Sequence, residues 1–364
     1  MSDSVSRRTF LQQAAASLAA TGGAAALMSL GGADAVDASD KAAALQASSR
    51  RARRRRRQQT NSTSSGTNVV NAPSSFPIVD THQHLWDLDK FRLPWTKGNE
   101  TLGKSFVMAD YLAATQGLNV TKTVYMEVDV DPSQQVQEAE YVIDLCQRKD
   151  NPMAGAVISG RPASDGFAAY IGKYKGSPYI KGVRQVLHGD QTPAGFCLDK
   201  QFVKSVQLLG DLGMSYDLCM RSGELMDGDK LVAQCPRTRF VVDHCGNMDV
   251  QEKDEKQRGV WMDGMKALAQ RDNVVCKISG IIVTAPEDWE AEDLAPNMRF
   301  AMETFGPDRT MFAGDWPVCT LRASFAEWVA ALKEIVQGMN MSAANQKKLF
   351  HDNAVKFYGL KEKS

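Results

Sequence analysis

From Phe76 onward the chain repeats one pattern: a short apolar run, then a longer stretch whose apolar residues recur three and four apart. The short runs predict strands at Pro77–Thr81, Lys122–Val128, Met153–Ser159, Ile180–Val186, Met214–Cys219, Arg239–Asp243, Val274–Ile278 and Thr310–Ala313. Between them, Val136, Ala139, Val142, Ile143, Leu145 and Cys146 line one side of a predicted helix, and Val203, Val206, Leu209 and Leu212 line another. Strands alternating with helices build right-handed βαβ units and a parallel sheet. Eight such units fit a (β/α)8 TIM barrel, a fold of typically ~250 residues. An open doubly wound sheet would carry a glycine-rich turn after its first strand. The turn here reads THQHLWD, with no glycine.

The first 75 residues follow a different pattern. Arg7 and Arg8 precede an Ala- and Leu-rich stretch from Ala14 to Leu30, which ends in Ala33-Asp34-Ala35. A charged start, a modest apolar core and an A-x-A site predict a twin-arginine-type signal peptide over residues 1–35 and an extracytoplasmic, periplasmic location. An uncleaved membrane anchor is the alternative, but Ala and Gly insert poorly beside Leu, Ile or Val. Residues 36–75 are rich in Ser, Thr, Asn and Gln, have almost no large apolar side chains, and predict a disordered basic linker. Its arginine run, Arg50–Arg57, suits weak contact with an anionic surface. No aromatic residue is interleaved to stack on bases, so no specific nucleic-acid partner is expected.

Composition adds exclusions. Hydrophobic residues make up 43% and charged residues 24% of 364, ordinary globular usage that rules out a collagen-like, coiled-coil or wholly disordered protein. The seven cysteines form no C-x-x-C pair, which argues against a zinc ribbon or thioredoxin-type motif and for small buried hydrophobes. No G-x-S-x-G elbow is present. Net charge is zero, yet residues 36–75 carry +6 and residues 76–364 carry −6. A cationic tether precedes a mildly acidic domain.

A barrel of this kind places chemistry at the C-terminal ends of its strands. There the chain offers His82 and His84, Glu127, Arg184 with His188, Asp217 with Cys219, His244, Lys277, and Asp315 with Trp316. Four of the five histidines fall at such ends; the fifth, His351, reads as a surface or packing residue of a C-terminal helix. His82-x-His84 joined by Asp315 makes two nitrogen ligands and one oxygen ligand, a set that suits one divalent metal ion, zinc above all.

The motifs VDTHQHLWD (79–87), KGVRQVLH (181–188), FVVDHCGN (240–247), VVCKISG (274–280) and FGPDRTMFAGDWPV (305–318) resemble the amidohydrolase-related family, amidohydrolase family 2. Within it they are similar to the branch of L-fuconolactonase- and L-rhamnonolactonase-type sugar lactonases. The resemblance runs from Ile78 to Leu360 and implies an amidohydrolase-type barrel over residues 76–364 that hydrolyses a small cyclic ester. The carboxylated lysine of binuclear relatives has no counterpart, since the end of the fourth strand offers Arg184, and a two-metal site is not expected. The resemblance leaves two mechanisms open. One metal held by His82, His84 and Asp315, with Glu127 as a further candidate, would activate water. Without metal, Asp315 would be the general base, with His82, His84, His244 and Arg184 stabilising the oxyanion.

Further roles are expected for the substrate-binding candidates. Arg184 reads either as a clamp on a substrate carbonyl or carboxylate, or as a structural partner of Asp217. Lys277 points either into the barrel or between barrel and helices. Trp86 and Trp316 read as aromatic walls beside a sugar-like ligand, or as core fillers. His188 is placed at the rim. The substrate expected is a small lactone or sugar-acid derivative. A decarboxylase or amidase on the same site, and a non-catalytic carbohydrate-binding barrel, are the competing functions.

Overall fold

The computed structural model describes residues 76–189 and 192–362. The expected signal peptide, the basic linker and the Arg50–Arg57 run lie outside the described residues. Eight parallel strands follow in chain order: β1 (Ile78–Gln83), β2 (Val120–Met126), β3 (Met153–Ser159), β4 (Ile180–Val186), β5 (Ser215–Cys219), β6 (Arg239–Val242), β7 (Val274–Ile278) and β8 (Thr310–Phe312). β1 and β8 meet at the C-terminal rim, where Gln83 bridges Trp316 and the His84 N–H donates to the Trp316 carbonyl at 2.8 Å. The expected TIM barrel is the fold. β3, β4 and β7 have the bounds expected from sequence, and the other strands differ by a residue or two at their ends.

The outer layer consists of α1 (Met108–Ala114), α2 (Gln135–Gln147), α3 (Phe167–Gly172), α4 (Lys200–Asp211), α5 (Leu225–Gln234), α6 (Glu255–Ala269), α7 (Ala291–Phe305) and α8 (Phe325–Gly338). Local chemistry starts several of them. Asp199 accepts from the Gln201 and Phe202 N–H groups at the head of α4, and Ser324 with Glu327 forms a capping box on α8. The segment then passes through α9 (Ala343–Lys347) into α10 (Asn353–Tyr358).

Strand alternation sorts side chains onto two faces. Tyr125, Ile158, Val183, Leu218, Val242, Ile278 and Phe312 join the core cluster shared with the helices. Val79, Val124, Met126, Val157, Val241 and Met311 form a second apolar cluster, to which Ala354, Tyr358 and Leu360 of the C-terminal segment contribute. Each large side chain so buried contributes about 1.5–3 kcal/mol. Toward the C-terminal ends of the strands polar side chains replace these apolar ones.

β1 breaks the alternation. Asp80 pairs with Thr123 and Gln83 with Tyr125, so the first strand holds an extra residue there. Such a bulge re-aims side chains. Asp80 turns outward to accept from the Tyr111 hydroxyl at 2.8 Å, while His82, two residues on, points inward to the buried charges.

Between β4 and β5 the fit is tight: Gly182 pairs with Ser215, and a Cβ on Gly182 would lie 2.2 Å from the Ser215 hydroxyl and 2.7 Å from its carbonyl oxygen. Backbone cannot yield there as a flexible side chain would. Gly182→Ala is expected to lower stability by roughly 1–3 kcal/mol through overpacking, read as a lower urea midpoint. An unchanged midpoint would contradict this packing.

Candidate active site

Four side chains come together at the mouth of the barrel and form the candidate site. β1 delivers His82, the segment leaving it delivers His84, the turn after β6 delivers His244, and the turn after β8 delivers Asp315; all are buried. The His84 Nδ1 lies 3.0 Å from the Met126 carbonyl, which can only accept, so this nitrogen carries a proton. Its Nε2 then faces an Asp315 carboxylate oxygen at 3.2 Å, and His82 Nε2 lies 3.7 Å from the same oxygen. The His244 and His82 rings are 4.4 Å apart between centroids, and His244 Nδ1 is 2.9 Å from the Ser279 hydroxyl.

The backbone at two of these residues is strained. His244 has φ 52° and Asp315 has φ 51°, left-handed values that cost a side-chain-bearing residue of order 1–3 kcal/mol. Side chains from the helices brace both turns. Trp261 Nε1 donates to the Cys245 carbonyl at 2.9 Å, and Trp328 Nε1 donates to the Ala313 carbonyl at 3.0 Å. Gly280 allows the His244 ring to lie where it does, because a Cβ there would sit 2.1 Å from His244 Nδ1.

Beneath the cluster lies a layer of buried charge. Arg184 donates through Nε to the Glu127 carboxylate at 2.7 Å and through Nη2 to the Glu127 carbonyl at 2.8 Å. Its Nη1 is 3.2 Å from His82 Nε2 and 3.5 Å from Asp243. Lys277 Nζ contacts Asp217 at 2.6 Å, Asp243 at 3.3 Å and His82 Nδ1 at 3.4 Å. Arg184 therefore pairs with Glu127 and Asp243; the expected partnership with Asp217 is corrected, because Lys277 occupies that carboxylate. Inward alternation along β7 also settles the direction of Lys277.

Burial and neighbours set the charge states. Burial pushes His82 well below the ordinary imidazole range, with Lys277 and His244 adding to the effect against Asp243, so His82 is neutral. For Asp315 burial acts upward, but His244, His84 and His82 outweigh it and hold the carboxyl below its usual range. Asp243 is likewise held low, Lys277 and His82 overcoming burial. Burial, opposed by Lys277 and aided by Asp243, pushes Asp217 up to about 7.

His82, His244 and Asp315 each offer a ligand atom within 4.8 Å of the others. Neutral imidazole and ionised carboxylate are the forms that bind metal. With its proton on Nδ1, His84 presents a lone pair to a carboxylate unless it is doubly protonated or a cation lies between them. The donor set thus fits one divalent ion held by His82, His244 and Asp315, with His84 beside it on the Asp315 carboxylate. Glu127, engaged by Arg184, is not part of that set.

Three candidates sit elsewhere. Trp86 is fully buried, edge-to-face with Trp95 and Phe106, and donates to the Lys104 carbonyl. Trp316 packs edge-to-face on Phe106 and Tyr111. Of the two readings expected for these rings, aromatic wall or core filler, their burial and edge-to-face contacts fit the core filler. His188 lies buried in the segment leaving β4. All seven cysteines are free and buried, as expected of small hydrophobes. Sequence reasoning passed over Asp243, Ser279 and Glu138. Asp243 carried a usable signal, a carboxylate next to His244 at a strand end. Glu138 carried none, as a polar residue beside the apolar stripe of α2.

Residues 79–360 match the protein family described as amidohydrolase. The L-fucono-1,5-lactonase of Burkholderia multivorans is 28% identical over 295 residues, spanning 78% of this chain and 96% of that protein. The L-rhamnono-gamma-lactonase of Scheffersomyces stipitis is 25% identical over 338 residues, spanning 79% of this chain and 100% of that protein. The crystal structure of an amidohydrolase from Burkholderia multivorans with bound zinc has a TM-score of 0.69 at 23% identity, covering 78% of this chain and 100% of the other, a likeness of fold.

A pH test follows from Glu138, which accepts from the Tyr125 hydroxyl and the Val128 and Ser159 N–H groups. Burial, with Glu127 adding, pushes it up to about 7 from the ordinary 4.5. Between those values the folded protein binds more protons than the unfolded chain. Glu138 therefore favours folding most below 4.5 and progressively less as pH rises through 7. Glu138→Gln should flatten the fall in melting temperature with pH over that window. An identical slope in wild type and variant would contradict this assignment.

Proposed function

Since the chain belongs to the amidohydrolase family, we propose that it is a lactonase that opens a sugar-acid lactone by attack of water, with Asp315 moving the proton. Its family and its lactonase-named relatives make it a hydrolase-type enzyme acting on a small molecule. The observation that carries the finer reading is the Asp315 carboxylate, buried, ionised and in contact with His84 Nε2 at 3.2 Å.

Lactone hydrolysis needs a base for water, positive charge beside the carbonyl oxygen and a proton for the leaving alkoxide. Asp315 takes the proton from water as the water oxygen bonds to the carbonyl carbon. The imidazoles around Asp315 and the buried cations Arg184 and Lys277 stabilise the oxyanion, in a setting where charge is poorly screened. When the tetrahedral species collapses, the ring C–O bond breaks and Asp315 returns its proton to the alkoxide. The product is a hydroxy acid, which then ionises. A divalent ion, were it held by His82, His244 and Asp315, would supply Lewis-acid polarisation of the carbonyl and make water there more acidic, toward a pKa of about 7.

The test is a panel of 1,4- and 1,5-aldonolactones in a pH-stat. Turnover should release acid, and Asp315→Asn should lower kcat by roughly 10²–10⁴-fold, the usual contribution of a positioned base. A panel with no turnover above the Asp315→Asn protein overturns the lactonase reading, and proton uptake with carbon dioxide release would indicate decarboxylation.

We also infer export, from Arg7, Arg8 and the Ala33-Asp34-Ala35 site. Replacing both arginines by lysine should retain the protein in the cytoplasm on cell fractionation; an unaltered distribution would overturn the inference.

A further inference from the structure

His82 Nε2 has two claimants. It lies 3.7 Å from Asp315 and belongs to the group of donors that could surround one cation. It also lies 3.2 Å from Arg184 Nη1. A guanidinium has donors only and does not lose its proton in proteins, so this contact makes Nε2 the acceptor. A ring nitrogen has one in-plane lone pair, which cannot serve a guanidinium N–H and a metal ion together. On the other side of the ring, Nδ1 faces Asp243 at 3.5 Å and Lys277 at 3.4 Å, an arrangement that leaves its proton directed at Asp243.

Arg184 is not free to step aside. Its Nε and Nη2 are held by Glu127 at 2.7 and 2.8 Å. Glu127 is anchored in turn by the Asp129 N–H at 2.7 Å and the Ser159 hydroxyl at 3.0 Å. With two of its three nitrogens fixed in a planar group, the third is aimed at His82 by geometry. The Glu127–Arg184 pair is fully enclosed, so swinging Nη1 away would separate buried opposite charges.

We propose that the Glu127–Arg184 pair is a built-in competitor of the divalent ion: Arg184 Nη1 holds the His82 Nε2 lone pair and sets metal affinity low. The guanidinium thereby keeps a permanent positive charge beside the reactive cluster whether or not metal is present. Glu127 is the positioning residue that makes the competition effective. The inference rests on the same reactive cluster as the lactonase reading, but its test uses no substrate, so a failed lactone panel leaves it standing.

The full-length protein is stripped with a chelator and titrated with Zn²⁺ against a chromophoric zinc indicator. The double substitution Glu127→Gln/Arg184→Met removes both charges together and frees Nε2. It should bind zinc roughly 10- to 100-fold more tightly than wild type, the scale on which partners of metal ligands act. Adding His82→Gln to that background should abolish the gain. Glu127→Gln alone, which keeps the arginine but loosens its clamp, should give a smaller gain and serves if the double variant does not fold. Zinc affinity that is unchanged or weaker in a folded variant overturns the proposal, as does a gain that survives His82→Gln.

Discussion

The site is organised by the need to keep opposite charges together inside the barrel. Arg184 and Lys277 are both enclosed, and around them stand Glu127, Asp217, Asp243 and Asp315, all buried. An isolated ion in such surroundings costs several kcal/mol, so each must sit against a partner with its hydrogen bonds made. That requirement fixes the order of contacts: Glu127 to Arg184, Arg184 to Asp243 and His82, Asp243 to Lys277, Lys277 to Asp217. His82 takes its orientation from this layer.

Charge state follows from the same arrangement. The two cations face four carboxylates, and the surplus negative charge has to be answered by protons, by imidazolium or by a bound cation. Asp217, pushed up to about 7, is the carboxylate of this layer that most readily takes a proton. At the mouth, His82 is kept neutral while Asp315 is kept ionised. Those two states suit water activation by the carboxylate, and also metal binding. Between these two uses of the cluster stands the Arg184 guanidinium on His82.

Strain and bracing complete the arrangement. The left-handed backbone at His244 and Asp315 aims both side chains inward, and it is sustained by Trp261, Trp328 and the space left by Gly280. None of these touches the reacting atoms. Each spends its hydrogen bond or its missing side chain on holding a turn, which is how a rigid scaffold carries a functional loop.

Much of this could be read along the chain. Apolar runs of strand length, spaced by helical periodicity, determined eight βα units and hence the barrel, because burial periodicity is a local property of the sequence. The same reading placed His82, His84, His244 and Asp315 at strand ends, where barrels put their chemistry. Other features depend on contacts between distant strands. Arg184 had two candidate roles in sequence, a substrate clamp or a partner of Asp217, and only the packing of β2, β4, β5 and β7 brought it Glu127 and gave Asp217 to Lys277. Trp86 and Trp316 stand beside the histidine and aspartate motifs, yet their rings are buried against Trp95, Phe106 and Tyr111, contacts that only the fold brings together. The bulge that turns His82 inward is a matter of register between β1 and β2, which neither strand encodes alone. Sequence determined which groups reach the mouth of the barrel. Tertiary structure decided which charges meet there, because pairing energy depends on distance in space and not on separation along the chain.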